Sequence, residues 1–404
     1  MPKKLSKLLA ILFAAALFAA ACGGSDDSEA AEEPAEEEAS GDEEEAMEDE
    51  EEAMEDEEEA MEDEEEAMED EEPVAGDLIT TFDADGDGTV TIGVAAAGPR
   101  DDNGYYQSLI NFAEEFSVEN GFAAPVVTDN IGAEEAAQSM SDLAQQGVDI
   151  IFVGASEIAE PLPDLTEAFP DVFWYCNCGA GFAELPGLAQ ATDWGAAIHY
   201  TAGVAMGQVM VEQGSTQSVF LGCCELNFEI EAFEATLFGM QSVDPNLTME
   251  YVSTGDFPFD FDNSGNATAA LTAASADGAT LAYAYLGGAL EPVGQAATEQ
   301  EIAVFAAGPA DICSREDGIE WTGSVVFDGG QYAAQALRLI VGGDLDEGTT
   351  FQFPTDPSLN GIDLCDPSAD AQAAIDDAFG LLGTFDESLL TDLGAISAEA
   401  YSGG

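Results

Sequence analysis

Two carboxylates, one amide and two phenol rings stand together in a short polar segment, at Asp101, Asp102, Asn103, Tyr105 and Tyr106. Carboxylates accept hydrogen bonds from hydroxyl and amino groups, and tyrosine rings stack on flat molecules. These groups are suited to holding a small organic molecule without altering it. The plainer alternative is that the aspartates are solvated surface acids and Tyr105 is a core residue on a helix face.

The flanking sequence predicts the elements that position this loop. Residues 89–97 contain the aliphatic strand formers Val90, Ile92 and Val94 in an apolar run typical of a buried strand. Gly98 and Pro99 end that run, and apolar residues recur at helical spacing from Tyr106 onward. Because α/β domains bind ligands at the carboxyl ends of their strands, we expect the loop to face a crevice.

The same alternation of strands and helices continues along the chain and predicts an α/β fold with parallel sheets. It restarts near residue 194, so we expect two Rossmann-like lobes joined by a hinge. The expected divisions are an N-terminal lobe over 77–193, a C-terminal lobe over 194–345, hinge crossings near 193 and 306–328, and a tail over 346–404 packed on the lobes.

Catalytic motifs of the common hydrolase classes are missing from the sequence. There is one histidine, His199, in a predicted helix with no nucleophile beside it, and neither a GxSxG nor an HExxH motif occurs. We interpret His199 as structural and expect the protein not to be an enzyme. Paired carboxylates carry little information in so acidic a chain.

Six cysteines follow the N-terminal region, and an even number in an exported chain favours disulfides. We expect bridges between the Cys176/Cys178 pair and the Cys223/Cys224 pair, and a further bridge from Cys313 to Cys365. A thiolate metal site is the alternative, but no CxxC spacing is present.

One segment before the first predicted strand is similar to a calcium-binding loop. Asp83, Asp85 and Asp87 occupy alternate positions and a glycine follows at the sixth, as in an EF-hand loop. Val94 stands where the bidentate carboxylate belongs, so the competing interpretation is a simple Asp/Gly turn. Apart from this candidate calcium site, we expect no cofactor.

The N-terminus predicts export and a lipid anchor. Lys3, Lys4 and Lys7 precede a short apolar run and three alanines, so residues 1–21 resemble a bacterial lipoprotein signal peptide with Cys22 as the lipidated residue. A plain secretory signal is the alternative. A seven-residue Glu/Met repeat follows, and its density of like charge predicts a disordered spacer over 22–76.

The charge balance excludes nucleic acid as a partner. The chain has 84 acidic and 6 basic residues, and beyond the leader its only bases are Arg100, Arg315 and Arg338. Nothing is available to neutralise phosphates. We expect salt or divalent cations to screen this surface.

Several segments, taken in their order along the chain, resemble sequences of the basic membrane protein family. This family consists of purine-nucleoside-binding lipoproteins that serve ABC importers. They include AGPRDDNGYYQSLINFAEEF, LAQQGVDIIFVGAS, IEAFEATLFGMQSVDPN and TGSVVFDGGQYAAQALRLIVGGDL, and the similarity covers residues 89–345. The resemblance implies a type 1 periplasmic-binding-protein fold, a ligand between two lobes, an ABC permease as partner, and a monomer.

The resemblance also implies site residues. Asp102 matches the family's carboxylate that holds a sugar hydroxyl, while Tyr105 and Phe233 match its two stacking aromatics. At several other positions where the family has a polar ligand-binding residue, this chain has a different residue. The corresponding candidates here are Tyr106, Asn177 (or Cys178), Asp311, and Asp328 beside Phe327.

The sequence thus predicts a solute-binding lipoprotein on the extracytoplasmic face of the cell membrane. Two alternatives remain open: a ligand-sensing surface receptor that does not serve transport, and a calcium-dependent surface structural protein.

Overall fold

The computed structural model describes residues 75–83, 86–154, 156–178, 183–257 and 259–403. Residues 1–21, predicted to be a signal peptide, Cys22, nearly all of the predicted acidic spacer, and Asp85 lie outside the described residues. Among the described residues, no helix combines the length and the apolar character that crossing a membrane requires.

The described strands, in chain order, are β1 (Ile92–Ala95), β2 (Val126–Thr128), β3 (Ile150–Val153), β4 (Phe173–Asn177), β5 (Leu188–Thr192), β6 (Gln217–Gly222), β7 (Thr248–Ser253), β8 (Leu281–Ala284), β9 (Ala303–Gly308), β10 (Trp321–Phe327), β11 (Thr350–Gln352) and β12 (Asn360–Leu364). The helices are α1 (Ala75–Phe82), α2 (Tyr105–Asn120), α3 (Ala136–Ala144), α4 (Leu162–Ala168), α5 (Gly195–Gln213), α6 (Asn227–Val243), α7 (Ser264–Asp277), α8 (Leu290–Glu299), α9 (Gly329–Gly342), α10 (Ala369–Gly383) and α11 (Glu387–Ala400).

Two six-stranded sheets define two lobes of the same topology. The first has the order β11-β5-β4-β3-β1-β2, and the second has the order β12-β10-β9-β8-β6-β7. Neighbouring strands run parallel throughout, except that β12 is antiparallel to β10. The predicted α/β fold with two parallel-stranded lobes is confirmed. In each sheet the strand order reverses beside the first strand, which is where such folds form a ligand crevice.

Apolar strands form the centre of each lobe because helices cover both faces of the sheets. All four residues of β3 are buried, as are all four of β8. Helix α5 is buried over most of its length, since α6 and α10 both pack against it. A Cβ atom on Gly203 of α5 would lie 2.9 Å from Cα of Gly239 in α6, so glycine at this crossing permits the close approach.

The chain passes between the lobes three times: after β5, after β10, and between β11 and β12. Helix α9 packs against α2 of the first lobe, and β11 pairs with β5 of the same lobe. The predicted boundary at residue 345 instead placed α9 in the second lobe. Helical periodicity predicts that α9 exists, but it does not show which of the two sheets the apolar face of α9 covers.

The cysteine pairing differs from the expected one. The structure joins Cys176 to Cys178 and Cys223 to Cys224, with Cα–Cα distances of 5.1 Å and 3.7 Å. The prediction of bridges between these two pairs is wrong, because one pair lies at the end of β4 in the first lobe and the other follows β6 in the second. Cys313 is joined to Cys365, as the sequence favoured, with Cα atoms 4.8 Å apart.

In the segment that resembled a calcium loop, the described residues make contacts between a side chain and the backbone. The Asp83 carboxylate accepts hydrogen bonds from the backbone amides of Asp87 and Gly88, each at 3.0 Å. Within the described residues, no group of three or more potential metal ligands comes together. These contacts are those of the Asp/Gly turn that the sequence offered as the competing interpretation.

Candidate functional site

A cavity of about 640 Å³ lies between the lobes, where the carboxyl ends of both sheets face each other. Its size is that of small-molecule pockets in general. Residues from β-strand ends and helix starts in both lobes line it, together with the C-terminal segment. The lining includes Gly98, Asp102, Tyr105, Tyr106, Asn130, Glu157, Asn177, Cys178, Asp193, His199, Phe228, Glu231, Phe259, Phe261, Asp262, Tyr285, Phe327 and Tyr401.

Asp102 organises the polar loop between β1 and α2. Its carboxylate accepts hydrogen bonds from the backbone amides of Gly104, Tyr106 and Gln107 at 2.9–3.2 Å, and only 4% of the residue is exposed. These amides belong to the first turn of α2, whose N–H groups have no partner within the helix. Burial raises the pKa of Asp102 while these amide bonds oppose the rise. Asp102 therefore fixes the loop against the cavity.

The two tyrosines of the loop are each tied to a polar group at a neighbouring strand end. Asn177, the last residue of β4, donates its amide to the Tyr105 hydroxyl at 3.1 Å. The Tyr106 hydroxyl donates to Glu157, which follows β3, at 3.3 Å. The two rings meet edge to face with centroids 5.4 Å apart. This wall of the cavity is held by side chains at or beyond the carboxyl ends of β1, β3 and β4, which are neighbours in the first sheet.

Two acceptor atoms in this wall have no hydrogen-bond partner within the part of the chain that the structure describes. They are Oε2 of Glu157 and Oδ1 of Asn177, and both atoms are buried. Burial raises the pKa of Glu157, and the hydrogen bond from Tyr106 opposes the rise. Buried polar atoms in folded proteins are almost always paired, so unpaired acceptors in a cavity wall favour a ligand that supplies donors.

The wall from the second lobe is aromatic. Tyr285, which follows β8, lies parallel to Phe327 at the end of β10, with centroids 5.6 Å apart. Phe228 at the start of α6 and Phe261 after β7 extend this surface, with centroids 6.4 Å apart. Flat faces of this kind accept a planar or cationic group.

His199 stands behind the aromatic wall, 5.9 Å from the Phe327 ring centroid and nearly parallel to it. It is 3% exposed, and burial lowers its pKa to about 3, so the ring is neutral. Nε2 lies 3.4 Å from the Tyr283 hydroxyl, whereas Nδ1 has no partner among the described residues. His199 packs structurally, as expected, and also contributes to the cavity lining.

The hinge end of the cavity depends on the C-terminal helix. Ser397 of α11 accepts a hydrogen bond from Trp194 at 3.1 Å and donates one to Glu231 of α6 at 2.5 Å. Tyr401 also hydrogen-bonds to Glu231 and lines the cavity. A Cβ atom on Gly195 would lie 2.5 Å from Glu231 Oε2, so a larger residue at this position would require the carboxylate to shift away from the start of α5.

Four of the residues proposed from sequence line the cavity: Asp102, Tyr105, Tyr106 and Asn177. Asp101 is exposed and lies outside the lining. Phe233 is also outside it, since its ring packs in the second lobe against Phe220 and Tyr251, each 5.8 Å away. Phe228, five residues earlier on the same helix, supplies the aromatic surface instead.

Two further candidates act between the lobes rather than in the cavity. Asp311 pairs with Arg315 at 2.6 Å, and Arg315 donates to the backbone oxygen of Asn103 at 2.9 Å. Asp328 caps α9 by accepting from the Gln331 amide at 3.0 Å, and it also accepts a hydrogen bond from Ser108. Both aspartates therefore help to hold the first-lobe loop and helix against the crossing segments.

Sequence reasoning missed several lining residues, chiefly Glu157, Asp193, Phe228, Glu231, Phe261, Asp262, Tyr285 and Tyr401. Tyr285 directly follows β8 and Glu157 lies four residues after β3, so positions near the carboxyl ends of strands offered a usable indication. Nothing comparable marks Tyr401, because local sequence does not reveal where a C-terminal helix docks.

No protein-family model matches the sequence, and no curated protein matches it. Solved structures do match. An ABC transporter solute-binding protein from Conexibacter woesei DSM 14684 is 20% identical, with a TM-score of 0.57, over 74% of this chain and 97% of that one. Another from Aeropyrum pernix K1 is 13% identical, with a TM-score of 0.61, over 77% and 99%.

A transcriptional activator of the comK gene from Bacillus halodurans is also similar, at 15% identity and a TM-score of 0.56, over 72% of this chain and 96% of that one. Proteins described by different roles thus share this architecture, and fold does not by itself specify function. At these identities the likeness establishes the fold, which is that of the type 1 periplasmic binding proteins.

Proposed function

We propose that this protein is the solute-binding component of an ABC importer, which captures a small organic ligand between its two lobes. The observation that carries the proposal is the cavity at the carboxyl ends of both sheets, walled by anchored tyrosines on one side and aromatic rings on the other. Solute-binding proteins act by closing two lobes around a ligand, which needs no catalytic group.

The finer proposal is a purine nucleoside or a similar flat compound as ligand. The sequence resemblance to nucleoside-binding lipoproteins supports it. The hydrogen bond from Asn177 to Tyr105 supports it too, because Oδ1 of the same Asn177 side chain is a buried acceptor without a partner among the described residues. A purine offers a flat π face to the aromatic rings and amino or hydroxyl donors to the acceptors.

Export and anchoring form a further part of the proposal. The lysine-flanked apolar leader and Cys22 support a lipid anchor on the extracytoplasmic face of the membrane. We expect Cys22→Ser to release the protein from the membrane fraction. Retention of this variant in the membrane would contradict the anchor at Cys22.

Isothermal titration of the purified protein with a panel of nucleosides and bases tests the ligand class. We expect binding of at least one purine nucleoside, and an affinity loss of about tenfold or more in Tyr105→Ala, equivalent to about 1.4 kcal/mol. Tyr105→Phe is the matched control, since it keeps the ring and removes only the hydroxyl. If no member of the panel binds, the nucleoside proposal is overturned.

A further inference from the structure

Among the described residues, the charged side chains that line the cavity are all acidic, because burial keeps the lining histidine, His199, neutral. Five carboxylates belong to its lining: Asp102, Glu157, Asp193, Glu231 and Asp262. The lining contains neither lysine nor arginine among the described residues. The arginines serve elsewhere, since Arg100 pairs with Asp129 and Arg315 pairs with Asp311. Anionic ligands such as nucleotides would therefore meet an uncompensated negative field.

Four of the five carboxylates already have partners within the protein. Backbone amides donate hydrogen bonds to Asp102, and the Gly288 amide donates one to Asp262 at 2.6 Å. Side-chain hydroxyls donate to the other two, that of Tyr332 to Asp193 and that of Ser397 to Glu231. Glu157 differs from them. Its Oε1 accepts from Tyr106, while its buried Oε2 has no partner among the described residues.

The surroundings of Glu157 suit one kind of partner. Asn177 Oδ1, the second unpaired acceptor, lies in the same wall, and the opposite wall presents aromatic faces. A positive group next to a buried carboxylate stabilises its charged form, and aromatic rings attract organic cations through their negative faces. A bare metal ion would leave most of a cavity of about 640 Å³ unfilled.

We propose that the ligand is an organic cation, whose charged group lies against Glu157 and whose apolar or flat body lies on the aromatic wall of Phe228, Tyr285 and Phe327. The inference rests on the proposed solute-binding function and adds the sign of the ligand's charge. It explains why one buried carboxylate oxygen of the lining, Oε2 of Glu157, has no partner among the described residues.

Pairs of compounds that differ in charge but little in shape test this inference. The first pair is 1-methyladenosine, which is cationic at neutral pH, and adenosine; the second is choline and its neutral isostere 3,3-dimethylbutanol. Titration calorimetry on the purified protein should show at least tenfold tighter binding of the cation in one pair. Glu157→Gln should reduce that preference severalfold, whereas Glu160→Gln, an exposed carboxylate three residues away, should preserve it.

The outcomes separate this inference from the nucleoside proposal. Adenosine binding as tightly as 1-methyladenosine, together with no preference for choline over 3,3-dimethylbutanol, overturns the cation proposal and leaves the nucleoside proposal in place. Choline binding with both nucleosides inert supports the cation and overturns the nucleoside. If Glu157→Gln prefers the cation as strongly as the wild type does, the role assigned to Glu157 is overturned. If no cation binds at all, the whole inference is overturned.

Discussion

The Tyr332 hydroxyl donates a hydrogen bond to Asp193 at 2.9 Å and accepts one from Asn360 at 3.2 Å. Asp193 follows β5, Tyr332 lies in the first turn of α9, and Asn360 begins β12. Each of the three residues is next to a different crossing between the lobes. One phenol thus joins the three segments that connect the two lobes.

Removing this hydroxyl should weaken the hinge. Tyr332→Phe keeps the ring stack on Phe353, whose centroid is 4.7 Å away, but leaves the Asp193 carboxylate without its donor. An unpaired buried acceptor costs about 1–3 kcal/mol. We expect the free energy of unfolding in urea to fall by about that amount. Unfolding that matches the unmodified protein would show that the hydroxyl does not support the hinge.

A second contact between the lobes predicts an effect on ligand release. Arg315 of the second lobe donates to the Asn103 backbone oxygen, and the Asn103 amide donates to Glu291 of α8 at 3.3 Å. These bonds hold the first-lobe loop to the second lobe. We expect Arg315→Gln to raise the ligand's dissociation rate severalfold with little change in association, as measured by stopped-flow fluorescence.

Arg100→Gln is the matched control for this contact. Arg100 also binds an aspartate through its guanidinium, Asp129 at 2.7 Å, but both residues belong to the first lobe. Its removal should leave the dissociation rate unchanged. Equal effects of the two substitutions would mean that charge, and not the contact between lobes, governs release.

Glu157 predicts a dependence of stability on pH. Burial raises its folded-state pKa above the ordinary 4.5, so the folded protein holds this proton more tightly than the unfolded chain. Its favourable contribution is complete below the unfolded pKa and is lost as pH rises through the folded pKa. Glu157→Gln, which cannot ionise, should therefore raise the melting temperature of the ligand-free protein at neutral pH.

The same advantage should shrink as pH falls through the raised pKa, because the wild-type carboxyl is then neutral as well. Scanning calorimetry at several pH values measures this difference. Glu160→Gln removes an exposed carboxyl from the same segment and serves as the control. A pH-independent difference between Glu157→Gln and the wild type would contradict the role assigned to burial.

Phe228 and Phe233 show how far sequence could define the site. Strand and helix periodicity predicted both lobes, and the loop at Asp102 and Tyr105 followed from the end of the first strand. Periodicity cannot tell which aromatic residues of α6 face the cleft, because that depends on how the helix rotates against its sheet. The Tyr401 contribution depends likewise on the docking of α11, a contact between distant parts of the chain.

Alanine substitution of these two phenylalanines should therefore separate binding from stability. Phe228→Ala removes part of the cavity wall and should weaken ligand binding with a modest stability loss. Phe233→Ala opens a void beside Phe220 and should cost up to about 3 kcal/mol of unfolding free energy with little direct effect on affinity. If titration calorimetry instead shows the larger affinity loss in Phe233→Ala and urea unfolding shows the larger stability loss in Phe228→Ala, Phe233 belongs to the binding site.

The surface charge predicts stabilisation by salt. The described residues contain two ion pairs, Arg100–Asp129 and Arg315–Asp311, whereas the chain carries a formal charge of −78. Repulsion among unpaired carboxylates opposes the folded state and is screened within a Debye length of about 8 Å at about 0.15 M salt. We expect the melting temperature to rise steeply from low salt to about this concentration.

If screening is the cause, sodium chloride and potassium chloride should raise the melting temperature equally at low concentration. Sucrose, which carries no charge, should not raise it at these concentrations. A rise that begins only at molar salt would indicate preferential exclusion of salt from the protein surface instead. A melting temperature that does not change with salt would show that the acidic surface imposes no net repulsion on this fold.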